Sequence, residues 1–464
     1  MSAPATTNRP RVFHTATRTQ TVLRVLCLAV LFHLVYVTYL STQWEYFGFS
    51  LVPSSTWAMV YTYALVLGPA LLVPLRSGRR TILVFFVLYN LSYLPSEFCL
   101  LFTSASWDRG PSTQLVLALG FGLIAWSFHV PVRSVKVPPT RWWLFVGVLV
   151  ALCGLCVAFA LSLGSSNLTF ANLFDASGSR RAKEEASGIL GLFGSGYVFA
   201  WVTYVVAPLL ILIGLIRKRL LLLGLGCFAE VLIYAATAAK FALLTPAFVM
   251  LAWFFCRRDN GRVAIQYTYW SSALLISCTL VANAVLGIPN AIEGVLSLFV
   301  MRYFGYQGLS TVVYARFAEA NGYTYWSHVK GVASFIQYPF DQALPWAVAE
   351  SYLGFPGASS PSHPWAQDGL VAAGLGGVLV ISCVVAVVFW VTDAFTARAR
   401  ADIMVPLMLI QGILLSESSL FTQLLSNGWI VLCFLLWVSP KSLRIVIKKR
   451  QPAVVADMQG ATAL

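Results

Sequence analysis

The chain has 464 residues, of which 59% are hydrophobic and only 10% charged. Soluble domains run at about 45–50% apolar and about 25% charged, so an ordinary water-soluble enzyme, a disordered chain and a collagen-like fibre are excluded. The formal net charge of +14 would suit a nucleic-acid partner, but its distribution along the chain argues for another origin.

Apolar runs near the ~18–20 residues that cross a bilayer alternate with basic punctuation. Spans are expected at 21–40, 55–75, 81–103, 112–131, 142–164, 195–216, 220–238, 241–256, 268–288, 370–391, 403–419 and 424–439, twelve in all. The stretch 220–256 would be about 55 Å long as one helix, too long for a single crossing. Arg217-Lys218-Arg219 and Arg257-Arg258 flank it, and basic loops belong on the cytoplasmic side. The chain must therefore cross twice there, turning near Lys240. The same reasoning puts a turn between Glu417 and Asn427. In this topology 23 of the 31 Lys and Arg residues fall on the cytoplasmic side, with both termini. The charge is then a topology signal and no nucleic-acid partner is expected. The first apolar run ends in YLSTQW, without a small-residue cleavage site, so it is expected to be a span rather than a cleaved signal.

The expected fold is an all-α integral membrane protein, a polytopic bundle of about twelve helices. A tail at 1–20 leads into nine spans (21–288) that carry an outer loop at 165–194. A large outer loop at 289–369, three spans at 370–439 and a tail at 440–464 follow. The nine cysteines lie in or at the ends of apolar runs, so no disulfide framework is expected; Cys153 and Cys156 read as packing residues. Cytoplasmic loops are short, and chemistry that needs a built site is expected on the outer face. There AIEGVLSLFVMRYFGYQGL has helical apolar spacing suited to an interfacial helix. The many aromatics of 289–369 suit sugar faces or the membrane-interface belt.

Several polar groups stand out. Arg180 and Arg181, in ASGSRRAKEEASGILGLFG, lie outside against the charge trend; they are a clamp for an anion, whose oxygens a guanidinium fork matches, or a surface turn balanced by Glu184 and Glu185. Lys240, in TAAKFALL, snorkels to headgroups or lines a polar cavity. Arg302, among apolar neighbours, calls for an acidic partner or an anionic ligand. In SPSHPWAQDGLVAAGLGG, His363 and Asp368 are alternatives for a general base, and Asp368 also suits a helix N-cap. Glu230 is a carboxylate inside a span, and Glu45 is the acidic residue of the first outer loop. Phosphate-loop, dinucleotide and zinc-protease motifs are missing from the sequence, and neither a metal nor another cofactor is expected.

The strings RRAKEEASGILGLFG, TAAKFALL, MRYFGYQGL and HPWAQDGLVAAGLGGVL, the last with W-x-x-D-G followed by G-x-G-G, resemble the O-antigen polymerase (Wzy-like) family. The resemblance implies a metal-independent glycosyltransferase of GT-C-like architecture in a bacterial plasma membrane. It would join oligosaccharide repeat units carried on polyprenyl diphosphate at the outer face, with a flippase and a chain-length regulator as partners. Arg180, Arg181, Lys240 and Arg302 would hold the diphosphate, and Asp368 or His363 would take the acceptor proton. An O-antigen ligase-type transferase and a transporter of lipid-linked sugars remain the alternatives.

Overall fold

The computed structural model describes residues 13–14, 17–103, 108–162, 195–259, 264–286, 296, 299–329, 331–354 and 363–444. Arg180 and Arg181, with the outer loop 165–194 that carries them, lie outside the described residues.

Helices occupy all twelve expected apolar positions. They are α1 (Arg18–Gln43), α2 (Thr56–Leu72), α3 (Ile82–Thr103), α4 (Gly110–Ser127), α5 (Trp142–Ser162), α6 (Gly196–Arg217), α7 (Leu220–Thr237), α8 (Lys240–Asp259) and α9 (Ala264–Leu286). After these come α10 (Tyr306–Asn321), α11 (Leu344–Leu353), α12 (Trp365–Thr396), α13 (Ala401–Glu417) and α14 (Leu420–Val438). Among the described residues, nine helices are long and apolar enough to cross a membrane; α2, α4 and α13 are not among them. Local chemistry sets the ends. Thr17 and Gln20 form a reciprocal capping box on α1, and the Ser55 hydroxyl caps α2. Lys218 and Ala238 take left-handed conformations that stop α6 and α7, so the chain turns just before Lys240.

One end of the bundle is basic and tightly tied. There Asp393 of α12 accepts from Arg79 Nε (2.6 Å), Thr81 Oγ1 (2.6 Å) and the Arg80 and Thr81 N–H groups (2.7 and 3.0 Å). Val135 N–H donates to Ala394 O, Thr140 N–H to Val438 O and Arg400 N–H to Leu443 O. Arg444 Nη1 reaches Val137 O. The strand β1 (Phe13–His14) pairs antiparallel with β2 (Arg76–Ser77), which brings the two ends of the described chain to this same face.

The segment read as a large outer loop holds helical structure packed inside the bundle. In α10, Gly308 lies so close to Pro95 that an added Cβ would stand 2.5 Å from its carbonyl carbon. Ser96 and Thr311 hydroxyls are 2.8 Å apart, and Arg316 Nη2 donates to Thr103 O. α10 therefore runs beside the second half of α3. It starts about 20 Å from the basic end, at 1.5 Å per residue from Ile82. Almost every residue from Tyr306 to Ala318 is buried; of the string AIEGVLSLFVMRYFGYQGL, expected as an interfacial helix, only the last four residues (306–309) belong to α10. A π-helical turn, Met301–Gly305, leads into it, and further π turns occur at Tyr36–Leu40, Tyr89–Tyr93 and Val202–Val206.

α12 is a hairpin rather than a rod. Trp365 packs on Phe121 of α4, with ring centroids 5.5 Å apart, and the neighbouring Gly120 abuts Ser382. In a straight helix those two α12 residues would be about 25 Å apart. The chain reverses at Ala373 and Gly374, whose backbone angles are non-helical, and the two arms meet backbone to backbone at Gly369 and Gly377. An eight-residue arm, 365–372, thus points back into the bundle.

Gly374 has φ +60° and ψ −141°, and a Cβ there would stand 2.8 Å from the Tyr323 hydroxyl. Gly374→Ala is expected to cost about 1–3 kcal/mol, read as a lowered unfolding midpoint in detergent. Gly376→Ala, which meets open space in a helical turn, is expected to leave that midpoint unchanged or raised.

Candidate functional site

The inward arm of α12 presents Asp368 to the interior. Its side chain is fully enclosed, and both oxygens are engaged. Oδ2 accepts from Ser419 Oγ (3.0 Å) and from the Leu420 N–H (2.8 Å) at the start of α14. Oδ1 faces Nε2 of His363 at 3.2 Å and Nε2 of His328 at 3.6 Å. Asp368 does serve a helix N-terminus, but that of α14 instead of its own helix, which begins after Pro364 with no side-chain cap. The reason is the reversal at Gly374, which carries the arm down to the level of the α13–α14 turn.

His363 is held from three sides. Its N–H donates to Glu417 O (3.0 Å), its ring stacks on Tyr314 with centroids 4.7 Å apart, and Nε2 meets Asp368. No described residue bonds Nδ1, and the side chain is 11% exposed. His328 Nδ1 bonds Thr324 Oγ1 at 2.7 Å, and its Nε2 faces Asp368 Oδ1 at 3.6 Å, outside hydrogen-bond distance. The two imidazole centroids are 6.2 Å apart. Beneath them the Gln367 amide lies 3.0 Å from both the Ser310 and Thr311 hydroxyls.

The loop bearing His328 is fastened to the end of the inward arm. Thr324 and Tyr325 N–H groups donate to Val371 O (2.8 Å) and Ala372 O (3.0 Å). The reversal at Ala373 leaves these carbonyls without helical partners. Two consecutive aromatic residues then take left-handed backbone conformations, Tyr325 with φ 49° and Trp326 with φ 68°, each costing about 1–3 kcal/mol. The Trp326 ring stacks on His328 and meets Phe421 of α14 edge-on.

Arg302 lies on the π turn before α10, with Nη2 3.5 Å from Glu417 Oε2. Glu417 therefore joins the site twice, through its carbonyl to His363 and its carboxylate to Arg302. The acidic partner expected for Arg302 is present. Lys240 is exposed at the start of α8, and among the described residues no contact joins it to the dyad. Glu45 is exposed on a 3-10 turn. Glu230 is buried in α7, away from these groups, and no described residue hydrogen-bonds its carboxylate.

Two members of the cluster went unselected in the sequence. His328 sits in TYWSH, where its one local signal is Thr324 four residues earlier; its partner carboxylate is 40 residues away. Glu417 read only as the marker of a turn. No family model, no curated protein and no solved structure matches the chain.

Asp368→Ala removes the acceptor of an enclosed backbone N–H and a hydroxyl and the carboxylate that faces two imidazoles, and is expected to cost about 3 kcal/mol. Glu417→Gln touches a long, partly exposed pair, and is expected to cost under ~1 kcal/mol. Unfolding midpoints of the two variants in the same detergent check the order.

Proposed function

We propose that the chain is a membrane-embedded glycosyltransferase that polymerises oligosaccharide repeat units carried on polyprenyl diphosphate. The observation that carries this reading is the His363–Asp368 dyad, anchored at Nε2 and open at Nδ1. It lies inside the bundle, toward the end away from the basic loops, near the level of Ser96 on α3. Arg302 stands close by, through Glu417. In a bacterial plasma membrane with both termini in the cytoplasm, that end faces outward, where lipid-linked repeat units are joined.

In this mechanism His363 donates Nε2–H to Asp368, so Nδ1 carries the lone pair. Nδ1 takes the proton of an acceptor sugar hydroxyl. The hydroxyl oxygen forms its bond to the anomeric carbon as the bond from that carbon to the diphosphate oxygen breaks. The electron pair leaves with the diphosphate, and Arg302 answers the developing charge; Lys240, which touches none of these groups, has no part in this step. Asp368 steadies the imidazolium that forms and fixes the ring's orientation. Glu417 must release Arg302 for this, which its 3.5 Å separation and partial exposure favour. A ligase-type transfer to a different acceptor would use the same groups. A flippase and a chain-length regulator are the partners this reading implies.

A second reading is transport of lipid-linked sugars. The observation that favours it is the interrupted α12, since transporters build sites where helices break. Reconstitution in vesicles with the host's polyprenyl-diphosphate oligosaccharide separates the two. Polymerisation is expected to give a product ladder spaced by whole repeat units. Movement of intact substrate across the bilayer with no new glycosidic bond would favour transport. His363→Ala is expected to lower the rate of ladder growth by about 10²–10⁴-fold at normal expression, and an unchanged rate would remove His363 from the mechanism.

A further inference from the structure

The backbone at Tyr325 and Trp326 carries a strain that the dyad alone does not call for. Trp326 has a packing reason, wedged between His328 and Phe421. Tyr325 meets one ring among the described residues, that of Tyr323. Its N–H is fixed on Ala372 O, yet 61% of the residue is exposed. Non-glycine residues persist at positive φ when their surroundings over-determine them, and such positions gather at ligand clamps.

The ring is also pre-set. Tyr323 packs edge-on against Tyr325, with centroids 6.4 Å apart and planes at 75°. The Tyr323 hydroxyl abuts Gly374 at the reversal of α12. The Tyr325 ring is thus referred through Tyr323 to the same arm that bears Asp368.

We infer that Tyr325 is a stacking platform for a pyranose ring of the lipid-linked substrate, held rigidly beside the dyad. An aromatic face with a polar hydroxyl edge suits the apolar face and hydroxyl rim of a sugar. A fixed platform loses little freedom on binding. A ring that merely anchors the protein at the membrane interface needs no strained backbone. Phe335 illustrates that case: it is 89% exposed, has no positive φ, and makes no ring contact with a described residue. This inference rests on the transfer reading above and names the part of that site that holds the sugar.

The test uses the full chain in lipid nanodiscs and two probes, farnesyl diphosphate and farnesyl-diphosphate-linked N-acetylglucosamine. The native protein is expected to bind the glycosylated probe more tightly. Tyr325→Ala is expected to shrink that preference about fivefold without changing the affinity for farnesyl diphosphate. Tyr325→Phe is expected to keep most of the preference, and Phe335→Ala all of it. Tyr325→Gly, which removes ring and strain together, is expected to bind as Tyr325→Ala does while unfolding at a higher midpoint. A full preference retained by Tyr325→Ala, or an equal loss in Phe335→Ala, would overturn the platform and leave the transfer reading standing. A native protein that binds neither probe, or both equally, would overturn the two together.

Discussion

Asp368 is enclosed on every side and is met from three stretches of chain besides its own arm. His363 precedes the arm, His328 comes from the loop after α10, and Ser419 with Leu420 opens α14. A carboxylate out of water is tolerated only when its lone pairs are occupied. The inward arm, the loop and the α13–α14 turn must therefore arrive together, and each is poorly placed without the other two. The glycine pair that lets the arm fold back is the steric half of the same requirement.

α12 repeats this device at its other end. Asp393 accepts the Arg80 and Thr81 N–H groups where α3 begins, as Asp368 accepts the Leu420 N–H where α14 begins. Each carboxylate thus meets the positive end of a neighbouring helix. Each also accepts a hydroxyl, from Thr81 or Ser419; at the basic end the charged partner is an arginine, and at the other end a pair of imidazoles faces the carboxylate. At the basic end both carboxylate oxygens are hydrogen-bonded, while the other end retains an imidazole nitrogen that no described residue uses.

The alternation of apolar runs and basic clusters was enough to place the helices. It even located the turn before Lys240, because a mostly apolar stretch of 37 residues between two basic clusters leaves no other path. What it does not contain is direction within a helix. Residues 365–396 look like one apolar helix with a polar start, and nothing local says that 365–372 runs backwards. The information lies in two glycines eight residues apart and in the Tyr323 hydroxyl that meets the reversal, and contact between chain segments cannot be read from periodicity. Burial of 306–318 was hidden for a similar reason: the segment's polar hydroxyls, Ser310 and Thr311, face partners on α3 and α12 rather than water. His363 and Asp368 were legible as neighbours in a Pro-flanked string. His328 was not, since its tie to them crosses from one loop to another element.

The π turn at Met301–Gly305 bears on how this arrangement tolerates change in length. Such a turn holds one residue more than an α-helical turn. The Cys99 thiol meets the Gly305 carbonyl there at 3.8 Å. Loss of one residue there would restore regular winding and rotate everything beyond it by about 100°. Gly308 would turn away from Pro95, and Tyr314 would leave the face of His363. The helix is in phase with its neighbours only because of that extra residue, so a single-codon deletion in this turn would be felt three turns away, at the imidazole.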